Sequence, residues 1–246
     1  MPDSLLRIPS VQVVRAIPLI AQCYRSNVRS LYEEVVGATV MVDGEEKVET
    51  ERTVAVGGTD SLEDVIADLW VEMVPATLTP RTAATNAKLH AGFLRAFQMS
   101  CDSIISQCLA ADRVVLVGHS MGGALACMAA YVLVTEYRMP LDRVKVVTLG
   151  TPRMGNSTWA NLYGDAVPQT WRIATAADPI TRLPPPWGWR HVGEGIRLRT
   201  DGTKSHDGWA IVLHLMYAIR CRLDIYGHDL SDYSRVIQSA ILRGTI

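Results

Sequence analysis

Residues 118–122 read Gly-His-Ser-Met-Gly, a serine set between two glycines in the pattern G-x-S-x-G. The pentapeptide alone would arise by chance in roughly one chain in ten of this length, so its meaning depends on its flanks. A valine-rich run, "RVVLV", ends at Val117, and an alanine-rich run, "ALACMAAYVLV", begins at Ala124. A serine at such a junction is either the N-cap of a helix or a nucleophile held on a sharp strand-to-helix turn. The second arrangement needs small neighbours, because a large side chain would collide with strand or helix. Gly118, Gly122, Gly123 and Ala124 meet that need, and the context favours the nucleophile.

A serine hydroxyl is weakly nucleophilic at neutral pH, so a histidine must take its proton and a carboxylate must hold that histidine. Asp178 follows the strand-like "WRIATA" and precedes Pro179, where a parallel sheet presents functional groups; a plain turn-capping aspartate is the alternative. Of the six histidines, His90 and His119 precede Ser120. His206 lies in the polar loop "DGTKSHDG" and reads as a solvated surface residue, while His214 interrupts the apolar "WAIVLHLMYAI" and reads as a core histidine. His191 in "WRHVGEG" and His228 in "YGHDLSDYSRVI" remain, the latter on a turn before a last amphipathic helix. Acyl transfer also needs fixed N–H donors for the developing oxyanion, and the amide of Met121, the residue after the serine, supplies one.

The elements that would position these groups alternate along the chain. Residues 8–36 read mostly as helix, and "ATVMV" and "ETERTVAV" as two strands joined through Asp43-Gly44. "SLEDVIADLW" places Leu62, Val65, Ile66 and Leu69 at spacings of three and four, a short amphipathic helix. Residues 83–109 read as a longer helix, "RVVLV" as a buried strand, "ALACMAAYVLVTEY" as the helix after it, and "RVKVVTLGTP" and "TWRIATAADP" as two further strands. Buried strands alternating with helices predict an α/β fold with a mostly parallel central sheet flanked by helices. Its functional groups belong at the C-terminal ends of the strands.

Composition narrows the classes further. A chain of 246 residues, 48% hydrophobic, buries a sizeable core, and with no repeat or linker-like stretch one domain over residues 1–246 is the expectation. A formal net charge of -1, without blocks of like charge, gives no footing for nucleic acid. The histidines lack H-x-x-x-H or H-E-x-x-H spacing, and neither a P-loop nor a strand-linked GxGxxG is present, so no metal and no cofactor is expected. The longest apolar run, residues 209–219, is about half the roughly 20 residues a bilayer span requires, so no transmembrane segment is expected. Five cysteines without CxxC spacing point to a reduced chain, and Arg15 and Pro18 break the only signal-like stretch. The expected location is cytoplasmic, or secreted if a leader has been removed.

The motifs "LHAGFLRAF", "VGHSMGGALA", "TLGTPRMGNSTWAN" and "RIATAADPITRLPP", in that order, resemble those of class 3 lipases, the fungal triacylglycerol lipase group of α/β hydrolases. The resemblance runs over about residues 53–235 and implies an α/β-hydrolase fold in which the triad follows the chain order Ser, acid, His. It puts Asp178 at the acid position and His228 at the terminal histidine, with an aromatic a few residues on, and makes His191 scaffold. It further implies that Thr59 gives the second oxyanion donor through its N–H, that Asp68 orients the Thr59 hydroxyl, and that "SLEDVIADLW" is a lid helix. The family usually carries arginine where this chain has Gly57, so Gly57-Gly58 is a departure that gives the loop more backbone freedom.

The reaction implied is hydrolysis of carboxylic esters, of acylglycerols or related lipids, with transient contact at a lipid interface when the lid opens. Trp187 and Trp189 are candidates for lining the substrate cleft. Two other readings stay open: a phospholipase A1 or an esterase of soluble or aromatic acids, and a catalytically silent relative that uses the fold for binding.

Overall fold

The computed structural model describes residues 8, 10–26, 30–42, 45–58, 72–80, 86–204 and 228–246. Its centre is a six-stranded sheet in the order β1-β2-β5-β6-β7-β8. The strands are β1 (Ser30–Val42), β2 (Glu45–Val56), β5 (Arg113–His119), β6 (Val144–Leu149), β7 (Thr170–Thr175) and β8 (Glu194–Leu198). Only the β1–β2 pair is antiparallel; from β2 to β8 every pairing is parallel. The short strands β3 (Met73–Pro75) and β4 (Lys88–His90) form a separate antiparallel pair.

The near-continuous apolar runs of the inner strands follow from cover on both faces. On β5, Val114 and Leu116 join one core and Val115 and Val117 the other, as a period of two requires. The first core packs α2 (Ala91–Leu109), α3 (Met121–Thr135) and α4 (Ser157–Ala166) on the sheet through Phe93, Phe97, Leu125, Met128 and Trp159. The second packs α1 (Ser10–Ser26) and α5 (Leu230–Leu242) on the opposite face through Val13, Ile17, Ile20, Tyr233 and Ile237. α3 runs directly out of β5 and is buried from Met121 to Ala130 without a break, which explains an alanine-rich sequence with no polar stripe. This architecture is the α/β-hydrolase fold that the resemblance implies.

Two boundaries differ from the sequence reading. Residues 30–36 are strand, paired with Val56 back to Thr50 of β2, where a helix was expected. A long antiparallel partner decides the conformation there, overriding local preference. The helix expected over residues 83–109 begins only at Ala91. His90 is its N-cap, with Nδ1 accepting from the Phe93 N–H at 3.4 Å, and the His90 N–H is taken by the Met154 carbonyl at 2.8 Å, which holds the preceding strand extended. The lid helix, the apolar segment 209–219, Thr59, Asp68, His206 and His214 lie outside the described residues. No helix among the described residues is long and apolar enough to cross a membrane.

Leu125, on α3, is fully buried in the first core. Leu125→Ala should lower unfolding free energy by about 2–5 kcal/mol in urea titration; a loss under about 1 kcal/mol would contradict the tight packing assigned to this face.

Candidate active site

Ser120 occupies the turn between β5 and α3 with φ 55° and ψ −127°, a backbone conformation that costs a non-glycine residue about 1–3 kcal/mol. The turn is held from both sides. The Ser120 N–H donates to the Leu149 carbonyl at the end of β6 (2.9 Å), and the Ser120 carbonyl accepts from the Thr151 hydroxyl (3.0 Å) and the Gly123 N–H (3.1 Å). Close approach explains the glycines. A Cβ on Gly118 would lie 2.3 Å from the Gly122 carbonyl oxygen, and one on Gly122 would lie 2.2 Å from the Val56 carbonyl oxygen. Although Ser120 precedes the first turn of α3, its side chain makes no capping hydrogen bond. The helix-cap alternative therefore finds no support.

The hydroxyl is turned instead toward His228: Ser120 Oγ lies 2.9 Å from His228 Nε2, and His228 Nδ1 lies 2.9 Å from Asp178 Oδ2. Because the carboxylate can only accept, Nδ1 carries the proton and Nε2 is left to accept from the serine. The three side chains come from three places in the fold. Ser120 ends β5, Asp178 follows β7, and His228 immediately precedes Asp229, whose side chain caps α5 by accepting from the Ser231 N–H.

Asp178 is fully buried, and every lone-pair direction used is matched by a donor. Oδ1 accepts from the Ile180 N–H at 2.8 Å, and Oδ2 accepts from the Tyr233 hydroxyl at 2.6 Å as well as from His228. Burial, and then the charge of Asp178, raises the Tyr233 phenol well above its ordinary range, which keeps it a donor. Gly150 completes the pocket. Its φ is +64°, and a Cβ there would sit 3.0 Å from Asp178 Oδ2 and 3.1 Å from the Tyr233 ring.

Met121 is the first residue of α3, and the N–H groups of a first turn point out of the helix at its positive end. The amide expected as the first oxyanion donor thus lies in the first turn of α3. The other two oxyanion assignments, Thr59 and Asp68, fall on undescribed residues. Gly57 and Gly58, just before them, are buried. Trp187 is 78% exposed, and Trp189 lies against His90 with ring centroids 5.7 Å apart.

Other contacts were not anticipated. His191 is half-buried, its Nε2 2.9 Å from the Thr181 carbonyl, while the Thr181 hydroxyl donates to the Asp178 carbonyl at 3.0 Å. His119 places Nε2 2.8 Å from the His228 carbonyl and Nδ1 3.0 Å from the Tyr24 hydroxyl. Burial, with the adjoining His228 adding to it, brings His119 down to about 3. Burial likewise takes His191 well below the usual histidine range, helped by Arg172 and Arg153. The positions themselves stood in quoted motifs, His119 in G-x-S-x-G, His191 in "WRHVGEG", Gly150 and Thr151 in "TLGTPRMGNSTWAN" and Tyr233 in "HDLSDY", but their contacts did not show there, and Tyr24 stood in none.

A strained serine at a strand-to-helix turn, facing a histidine backed by a buried carboxylate on this sheet, defines the class: an α/β hydrolase with a candidate Ser-His-Asp site. Within that class the chain belongs to the class 3 lipase family, whose model, Lipase (class 3), matches residues 53–187. It is 31% identical over 133 residues to a lipase of Caenorhabditis elegans, a match covering 54% of this chain and 37% of the relative. With a secreted mono- and diacylglycerol lipase of Fusarium solani it shares 34% identity over 141 residues, covering 51% of this chain and 41% of the relative. The matched stretch is thus less than half the length of these curated relatives. A solved triacylglycerol lipase, described as having a serine protease triad as its catalytic centre, superposes with a TM-score of 0.59 at 16% identity, covering 93% of this chain and 94% of that one.

Two outcomes are expected. Gly118→Ala should destabilise the protein by about 1–3 kcal/mol or more, since the added methyl meets backbone that cannot move aside; an unchanged urea midpoint would refute the close approach. An imidazole that stays neutral when folded takes up a proton only on unfolding. Stability should therefore be intact above about pH 6.5 and fall below it, by roughly 1 kcal/mol per pH unit for each of His119 and His191. A urea midpoint that is flat from pH 7 to pH 5 would exclude this.

Proposed function

We propose that this protein is a serine carboxylic-ester hydrolase acting on acylglycerols or related lipid esters, and that residues 1–246 form one hydrolase domain. The observation that carries the reading is the unbroken run from Ser120 Oγ through His228 to Asp178, with both spacings 2.9 Å, on a strained strand-to-helix turn. Family membership supports an ester substrate, and the acylglycerol relative supports the lipid class.

In this mechanism Ser120 attacks the ester carbonyl as His228 Nε2 takes its proton. Asp178 keeps the imidazole in the needed tautomer and stabilises the imidazolium that forms. The Met121 amide, with the Thr59 amide as second donor and Asp68 as support, holds the oxyanion, each donor being worth about 3–4 kcal/mol of barrier. His228 then protonates the leaving alkoxide, and the alcohol departs. Water, deprotonated by His228, attacks the acyl-enzyme and releases the acid. No cofactor enters any step. A hydrophobic acyl chain would be bound beneath the lid segment, and opening of that segment at a lipid interface would admit it. A cytoplasmic setting belongs to this reading, and a secreted one, as described for the Fusarium solani relative, is its alternative.

A fluorophosphonate probe should label the folded protein, and Ser120→Ala should abolish labelling and lower ester hydrolysis by about 10⁴-fold or more. Failure of the folded wild-type protein to label would favour the silent relative. Across p-nitrophenyl esters of increasing chain length, activity should rise beyond acetate and gain on emulsified substrate. A peak at acetate with no gain on emulsions would replace the lipid reading with an esterase of soluble acids, and a preference for diacyl phospholipid over triacylglycerol would replace it with a phospholipase A1.

A further inference from the structure

The histidine before the nucleophile is not a spectator of the turn. His119 is buried, with its ring centroid 4.8 Å from that of His228, yet it bonds to neither Ser120 nor Asp178. One ring nitrogen lies 2.8 Å from the His228 backbone carbonyl and the other 3.0 Å from the Tyr24 hydroxyl. A carbonyl can only accept, so Nε2 carries the His119 proton and donates it to His228 O. Nδ1 is then an acceptor, and the Tyr24 hydroxyl donates to it. This assignment is self-consistent only for a neutral imidazole, which is the form that burial imposes.

Tyr24 comes from the last turns of α1, whose inner face is anchored on the sheet by Val13, Ala16, Ile17, Ile20 and Cys23. The hydroxyl reaches the site because residue 58 is glycine: a Cβ there would stand 2.7 Å from the Tyr24 oxygen. The chain of contacts thus joins α1 to the residue before the nucleophile and then to the backbone that carries the imidazole facing Ser120. His119 and Ser120 are adjacent on one rigid strand end, so a bond from His119 to the His228 carbonyl sets the position of His228 relative to Ser120.

We propose that Tyr24 and His119 are positioning residues for ester hydrolysis: together they hold the backbone of His228 in the register that lets its Nε2 take the Ser120 proton. The inference rests on the triad reading given above. It makes α1 part of the catalytic apparatus.

Three variants test it, each read by kcat and KM on a soluble p-nitrophenyl ester, by the rate and stoichiometry of fluorophosphonate labelling, and by urea midpoint. Tyr24→Phe removes one hydroxyl and keeps the ring; kcat and labelling rate should fall about 3- to 10-fold, with KM and the fraction of labelled protein unchanged, as for one lost hydrogen bond. His119→Leu loses both bonds and should cost about 10²-fold in kcat per labelled site, the scale of a catalytic group displaced by about 1 Å. His119→Gln restores an amide donor near the position of Nε2 and should recover most of that loss. Wild-type kcat in Tyr24→Phe, or glutamine no better than leucine at position 119, would overturn the proposal. So would losses that appear only as fewer labelled molecules, which is what a purely structural role predicts. The Ser120→Ala control separates the two readings: hydrolysis that survives it removes the triad itself, whereas a Ser120-dependent enzyme indifferent to Tyr24 and His119 removes only this inference.

Discussion

A carboxylate with no exposure to solvent is the constraint around which the site is organised. Burying an unpaired charge costs several kcal/mol or more, so Asp178 can exist where it does only if donors converge on it. They do so from the Ile180 backbone, the Tyr233 hydroxyl on α5 and the His228 ring. The Ile180 donor is local, two residues on, but the other two are placed by long-range elements. α5 must dock on the sheet to bring Tyr233 in, and the end of β6 must turn through a glycine to leave room for both oxygen and ring. The hydrogen bonds that make the charge tolerable are the same ones that orient His228 toward Ser120, so stability and geometry are secured by a single set of contacts.

The serine end of the site is governed by a steric requirement. β5 runs into α3 with no intervening loop, and two glycines, Gly118 and Gly122, allow the helix to start against neighbouring backbone. The strain at Ser120 persists because its peptide is bonded on both sides, to the end of β6 and to Thr151. With β2, β5 and β6 laid parallel, their C-terminal ends bring Gly57-Gly58, Ser120 and Gly150 to the same edge of the sheet. Topology thus gathers residues about 60 and 90 positions apart without any local signal between them.

This division explains what could be read in the sequence. The β5–α3 unit was legible because both periodicity and turn chemistry point the same way over residues 113–134, and Asp178 because a strand with β-branched residues ends just before it. The Ser-Asp-His order came from four motifs of a family, since six histidines could not be sorted by local pattern alone. Residues 30–36 were misread because their conformation is set by pairing with β2, a partner one cannot infer from the residues of β1 themselves. The start of α2 was misplaced for a related reason, the extended backbone at Lys88–His90 being held by residues 154–156. His119 was visible as the second residue of G-x-S-x-G, but its task was not, because both of its partners are distant in the chain, 95 and 109 residues away.

Two buried histidines with rings 4.8 Å apart would repel each other if both were charged, and the proposed reaction requires one of them to take up a proton. The structure separates them by the groups they face. His228 has the Asp178 carboxylate at Nδ1 and turns Nε2 to Ser120 Oγ, whereas His119 has a carbonyl on one side and a phenol hydroxyl on the other, which are satisfied in full by a neutral ring. The proton leaving Ser120 therefore has one destination. Placing the second imidazole beside the first supplies a rigid donor to the His228 backbone without supplying a competing base, a combination that a lysine or arginine at position 119 could not offer, since neither side chain has an acceptor for the Tyr24 hydroxyl.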